Sequence, residues 1–113
     1  MSVKLLSISK NEDFKLLLAG KKKSNKYLNI FFNNLSHKSN KCLNISFVAQ
    51  KKLGNAVKRN KIKRRLRNIM NDANKKFNLN LKYSYLLIAK SLIIKDSYED
   101  IKEALFTDFK KIK

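Results

Sequence analysis

Cysteine, histidine and glycine are nearly missing from this chain of 113 residues, and each shortage removes a class of function. Cys42 stands alone, which excludes an internal disulfide. With only His37 to join it, a four-ligand zinc site of the usual Cys/His kind cannot be assembled. The two glycines, Gly20 and Gly54, are too few for a glycine-rich phosphate loop. Apolar runs are also short. None approaches the roughly 18 to 20 residues of a membrane span, and the first ten residues, which include Lys4 and Lys10, lack the continuous apolar stretch of a signal peptide. A soluble, intracellular protein is the expectation.

Acidic residues are the most informative shortage. Eight Asp and Glu face 27 Lys and Arg, for a formal net charge of +19 on 13.2 kDa. Such self-repulsion is tolerated most readily when the partner is a polyanion. No acid lies between Asp13 and Asp72, whereas sixteen basic residues do. An AT-rich genome would raise Lys, Asn and Ile together, but it does not account for that acid-free span. The acids lie in three places: Glu12 with Asp13, Asp72 alone, and the 96 to 108 segment, which reads as a solvated helix face with Lys partners. Little remains for an acid–base pair or a metal-ligand set, so neither catalytic side chains nor a protein-held metal is expected. His37 falls in a loop and reads as a surface residue.

What the chain does concentrate is arginine. All four arginines fall within Arg59-Asn60-Lys61-Ile62-Lys63-Arg64-Arg65-Leu66-Arg67, while the lysines are scattered from end to end. Arginine offers a planar fork that grips a phosphate with two hydrogen bonds, and lysine offers only a hydrated point charge. The cluster therefore marks a site.

With 43% hydrophobic residues the chain is expected to fold as one domain over residues 1–113, around a single modest core. Asn11 can cap a short helix, with Glu12 and Asp13 in its positive first turn and Phe14, Leu17 and Leu18 on one apolar face, ending at Gly20. Residues 27–32 suit a strand with Leu28, Ile30 and Phe32 on one side and Tyr27 and Phe31 on the other. Residues 33–41 read as a hairpin loop. A second strand, antiparallel to the first, follows over Cys42 to Ala49, where Leu43, Ile45 and Phe47 alternate with Asn44, Ser46 and Val48. Lys51, Lys52 and Gly54 make a basic turn and Asn55 caps a long helix, whose seam of Ile62, Leu66, Ile69, Met70 and Ala73 is amphipathic.

Wrapping that helix at about 100 degrees per residue puts Asn60, Lys63, Arg64 and Arg67 on a face away from the seam. Arg59 falls at its margin, and Lys61 and Arg65 on the opposite flank. A third strand is expected at Tyr83 to Ala89. A last helix starts at a Ser97/Asp100 capping box, with Tyr98, Ile101, Leu105, Phe109 and Ile112 as core positions. The resulting fold class is a small α/β (α+β) sandwich of order αββαβα, with room for one further short strand. Aromatic residues beyond the needs of a core face, Phe14 and Phe31 in particular, sit well with stacking of single-stranded RNA beside a basic groove, and equally with plain core packing.

The strand end Phe47-Val48-Ala49-Gln50, the turn Lys51-Lys52-Leu53-Gly54-Asn55-Ala56-Val57 and the helix start Lys58 to Arg67 resemble the bacterial ribonuclease P protein component. That family carries a Lys-Lys-x-Gly-x-Ala-Val turn followed by an Arg-Asn-Arg-x-Lys-Arg helix. Asn11 to Gly20, Tyr85 to Lys90 and Tyr98 to Phe109 extend the resemblance over most of the chain.

The resemblance implies a sandwich with a left-handed βαβ crossover, similar to a domain of a small-subunit ribosomal protein. It also implies a bacterial, cytoplasmic protein that forms a 1:1 ribonucleoprotein with ribonuclease P RNA, binds precursor tRNA and removes its 5′ leader. Chemistry would come from Mg²⁺ held by the RNA, with no small-molecule cofactor and no membrane. Carried over by position, Lys52, Asn55, Lys58, Arg59, Asn60, Lys61, Lys63, Arg64 and Arg67 would dock on the RNA subunit. Phe14, Leu18, Phe31, Val48 and Lys51 would line a leader-binding cleft.

The match has departures. Lys61 replaces an arginine and keeps charge without the bidentate fork. Leu18 stands where an aromatic is frequent, Asn44 and Ser46 replace Arg and Gly, and Lys90 replaces Arg. Size and charge alone would equally fit a non-enzymatic RNA-binding or ribosome-assembly protein; only the turn joined to the Arg-Asn helix separates the two. A membrane-surface peptide fits poorly, because the seam of the basic helix is narrow.

Overall fold

In the computed structural model, which describes residues 4–35, 41–76 and 78–112, short strand β1 (Leu5–Leu6) leads to helix α1 (Asn11–Leu18). Strands β2 (Lys21–Ser24), β3 (Leu28–Asn33) and β4 (Leu43–Val48) follow, then helix α2 (Ala56–Lys76), strand β5 (Ser84–Ala89) and helix α3 (Tyr98–Lys111). Two strands exceed the αββαβα expectation. β1 is only two residues long, and β2 is a lysine run that propensity alone would not make a strand. β2 forms because it lies at an edge, where lysines on a short strand also discourage pairing with another chain.

The five strands run in the order β1-β4-β5-β3-β2. β4 pairs parallel with β1 and β5, whereas β3 pairs antiparallel with β5 and β2. This corrects the hairpin expected at residues 33–41, since β5 lies between β3 and β4 and those two strands do not pair. The cause is in β5 itself. Its residues 84–87 and 89 are all buried, which demands cover on both faces and neighbours at both edges. Part of the 33–41 connection, with His37, lies outside the described residues.

Alternation sorts the side chains to two sides of the sheet. Leu28, Ile30, Leu43, Ile45, Tyr85 and Leu87 meet the α2 seam of Ile62, Leu66, Ile69, Met70 and Ala73, and the Ile101, Leu105 and Phe109 stripe of α3. Both helix seams are as expected from spacing. On the other side, Leu86, Ile88, Phe31 and Val48 meet Ile8, Phe14, Leu17 and Leu35. Each fully covered Leu or Ile contributes about 1.5–3 kcal/mol relative to exposure.

Several local expectations are corrected. Tyr27 does not face away from the core but is buried within it, and its hydroxyl donates to Asp96 Oδ2 at 2.5 Å. The N-cap of α1 is Lys10, without a side-chain bond, so Asn11 is its first helical residue. Leu18 is 50% exposed and leaves the apolar face to Phe14 and Leu17. Asn44 and Ser46 are buried, because the segment after β1 covers their side of the sheet.

The acids of the 96–108 segment are not all solvated. Asp108 is buried and accepts from Asn25 Nδ2 at 2.8 Å, while Asn25 Oδ1 accepts from the backbone of Tyr27 and Leu28. Asp72 is not alone either, since Lys102 Nζ donates to it at 2.9 Å. Gly20 closes α1 against β3, and a Cβ there would stand 2.6 Å from the Phe32 carbonyl oxygen.

Candidate nucleic-acid interface

The basic surface is built outward from a backbone turn. After β4, Lys51–Leu53 form a single 3₁₀ turn, and Gly54 takes φ 134°, a conformation that disfavours any side chain. Asn55 then caps α2, its Oδ1 accepting from Lys58 N at 3.0 Å, while its carbonyl accepts from Arg59 N at 3.0 Å. Lys51, Lys52 and Asn55 are all exposed on this turn.

Burial of the α2 seam fixes where the cations point. Asn60, Arg64 and Arg67 are exposed, whereas Lys63, seven residues before Met70 and so on its side of the helix, is half-buried. Arg59 is half-buried with its Nε covered. Arg67 reaches the groove edged by Leu5, Leu6 and Phe47, whereas Lys58, Lys61 and Arg65 border the opposite groove toward Ile93 and Ile101. The helix therefore presents a cationic ridge with two flanks, as expected for Asn60, Arg64 and Arg67, while Lys63 lies nearer the seam than expected. Of the expected docking residues, Asn60, Arg64 and Arg67 share the exposed face, Lys52 and Asn55 are exposed on the turn, Lys58 and Lys61 border the opposite groove, and Arg59 and Lys63 are half-buried.

A second feature lies across the sheet. Phe14, Phe31 and Val48 are half-buried around Ile8, Leu17, Leu35, Leu86 and Ile88, giving a partly open apolar floor between α1 and the strands. Of the other expected lining residues, Leu18 is exposed at the end of α1 and Lys51 is exposed three residues after β4. Phe32 belongs instead to the opposite core.

Sequence reading missed Lys22, whose Nζ sits 5.6 Å from the centre of the Phe31 ring. It is Phe31's cross-strand partner, and only recognition of β2 as a strand could have found it. It also missed Leu86 and Ile88, although the unbroken apolar run of β5 signals a strand with two covered faces. Among the described residues, no three His, Cys, Asp or Glu side chains converge on a point, and no helix is long and apolar enough to cross a membrane.

A mixed sheet flanked by α1 on one side and α2 and α3 on the other, with a cationic helix ridge and a half-buried aromatic floor, defines a small basic α/β sandwich with a surface suited to a polyanion. The ribonuclease P family model matches residues 3–113, and the chain belongs to that family. The fold agrees. The Staphylococcus aureus RNase P protein is 28% identical with a TM-score of 0.76, covering 94% of this chain and 93% of its own. The Thermotoga maritima RNase P protein superposes with a TM-score of 0.78 at 23% identity, over 96% of this chain and 98% of its own. No curated protein sequence matches the chain at a significant level. Family and fold make this the protein subunit of ribonuclease P, a tRNA-processing endoribonuclease, with RNA as its partner.

Proposed function

We propose that Lys52 and Asn55 of the turn and the basic residues of α2 from Lys58 to Arg67 dock on the ribonuclease P RNA, and that Phe14, Leu18, Phe31, Val48 and Lys51 hold the single-stranded 5′ leader of precursor tRNA. The observation that carries the reading is the placement of Asn60, Arg64 and Arg67 in solvent, on a helix whose other side is locked into the core by five buried residues. Rigid anchoring pre-orients the guanidinium groups toward phosphates and lowers the entropy lost on docking.

Each subunit then has a task. The ridge screens repulsion between RNA phosphates, so the RNA folds and holds Mg²⁺ at lower concentration, and the RNA-held Mg²⁺ supplies the hydrolytic chemistry. The cleft adds interactions that only the leader can make, so precursor is retained and mature tRNA released. Phe31, with Lys22 over its ring, offers a stacking surface beside a cation, a combination suited to unpaired bases. The assembly is a 1:1 particle with one protein monomer, acting in the bacterial cytoplasm without a small-molecule cofactor.

Reconstitution tests this. The protein is mixed with a bacterial ribonuclease P RNA and precursor tRNA at low Mg²⁺, and cleavage at the mature 5′ end is followed. Stimulation over RNA alone is expected; its absence would leave a plain RNA-binding protein.

A further inference from the structure

Between α2, the 3₁₀ turn Ser91–Ile94 and α3 lies a cavity of about 250 Å³ whose apolar wall neither the ridge nor the cleft uses. Its walls are aliphatic: Ile62 and Leu66 from α2, Ile93 and Ile94 from the turn, and Ile101 from α3. Its remaining lining is cationic, from Lys58, Lys61 and Arg65. These three lie at helical spacings of three and four, so the backbone itself holds them in one row along the opening. Among the described residues no carboxylate pairs with any of them. Ile94 is 50% exposed and Leu92 beside it 37% exposed, so the apolar wall continues to the surface in a protein otherwise coated with lysine.

An apolar pocket edged by three unpaired cations selects for shape and for charge together. A nucleobase suits it less well, because the five aliphatic wall residues offer no aromatic face to stack on and no acceptor for a base's amino group, leaving only the cations at the opening to bond it. Polyphosphate suits it no better, because an aliphatic wall would face bare charge. We infer that this pocket binds a small amphipathic carboxylate, with a medium-length alkyl body against Ile62, Ile93 and Ile94 and its head group on the Arg65 guanidinium. The size agrees, since the cavity falls just under the roughly 300 Å³ at which pockets for larger ligands begin.

Octanoate is the probe, with acetate and 1-octanol as controls carrying only the charge or only the chain. Lys58 and Lys61 also belong to the proposed RNA-docking set, so the variants are placed at Arg65 and Ile94 and RNA is left out of the assay. Titration into the isotope-labelled full chain should shift the amide signals of Arg65, Ile93 and Ile94 saturably. Octanoate should bind about ten-fold or more tighter than either control, the scale of one charge-assisted hydrogen bond. Ile94→Glu, at a half-exposed position, should abolish binding. Arg65→Gln should weaken octanoate toward the affinity of 1-octanol. Leu16→Glu, on α1 across the sheet, should change nothing. Equal binding of acetate, equal binding of 1-octanol, or octanoate affinity unaltered in both Ile94→Glu and Arg65→Gln would each overturn the site.

Discussion

Ser46 Oγ holds both backbone groups of Ile8, accepting from its N–H at 2.8 Å and donating to its carbonyl at 2.9 Å. One hydroxyl thus fastens the segment after β1 onto β4 and sets Ile8 into the floor of the cleft. Ser46→Ala removes both bonds and strands two buried polar groups, for an expected loss of about 1–3 kcal/mol in urea unfolding. Precursor affinity should fall with it, since the floor loosens; affinity unchanged alongside reduced stability would separate Ile8 from the cleft.

Leu66 is fully buried at the centre of the α2 seam. Leu66→Ala should cost about 2–5 kcal/mol, from the forfeited transfer energy and the cavity left behind. That is a large share of the roughly 5–15 kcal/mol that holds a typical domain. Thermal unfolding checks it, and an unchanged midpoint would mean that α2 is not anchored by this seam.

Arg64 and Arg67 project from the opposite side of the same helix. Arg64→Ala and Arg67→Ala should weaken binding to the RNA subunit and reduce the salt slope by about 0.7–0.9 for each phosphate no longer neutralised. Filter binding across a salt series reads both, and a retained slope would show that these arginines meet no phosphate.

Phe31→Ala should lower precursor tRNA affinity by about 1–3 kcal/mol, the value of one base stack. Mature tRNA, lacking the leader, should bind as before. Equal weakening for both would make Phe31 a packing residue only.

Asp72 gives the pH dependence a sign. The hydrogen bond from Lys102 is the main cause holding its carboxyl below the ordinary value of 3.8. The folded state therefore binds fewer protons than the unfolded state near that pH. The link stabilises the protein above 3.8 and is lost as pH falls through the depressed folded value. Asp72→Asn should flatten the acid limb of urea midpoints measured between about pH 2 and 6. An unchanged acid limb would mean that the pair does not persist in solution.

The sequence by itself determined the parts whose physics is local. The seam Ile62 to Ala73, the Asn55 and Ser97 caps, the alternation in β3 and β4, and the two faces of the arginine helix all follow from periods and capping within a few residues. The turn and helix motif also carried enough of the site to indicate its family. Pairing partners were decided elsewhere. A strand's neighbour depends on which edge is left open once the helices have covered the sheet, so β5 displaced the expected hairpin and β2 became a strand from lysines. Burial of Tyr27, the tie from Ser46 to Ile8 and the bond from Asn25 to Asp108 join residues far apart in the chain. No local pattern encodes them, because their energy exists only when two distant segments exclude water together.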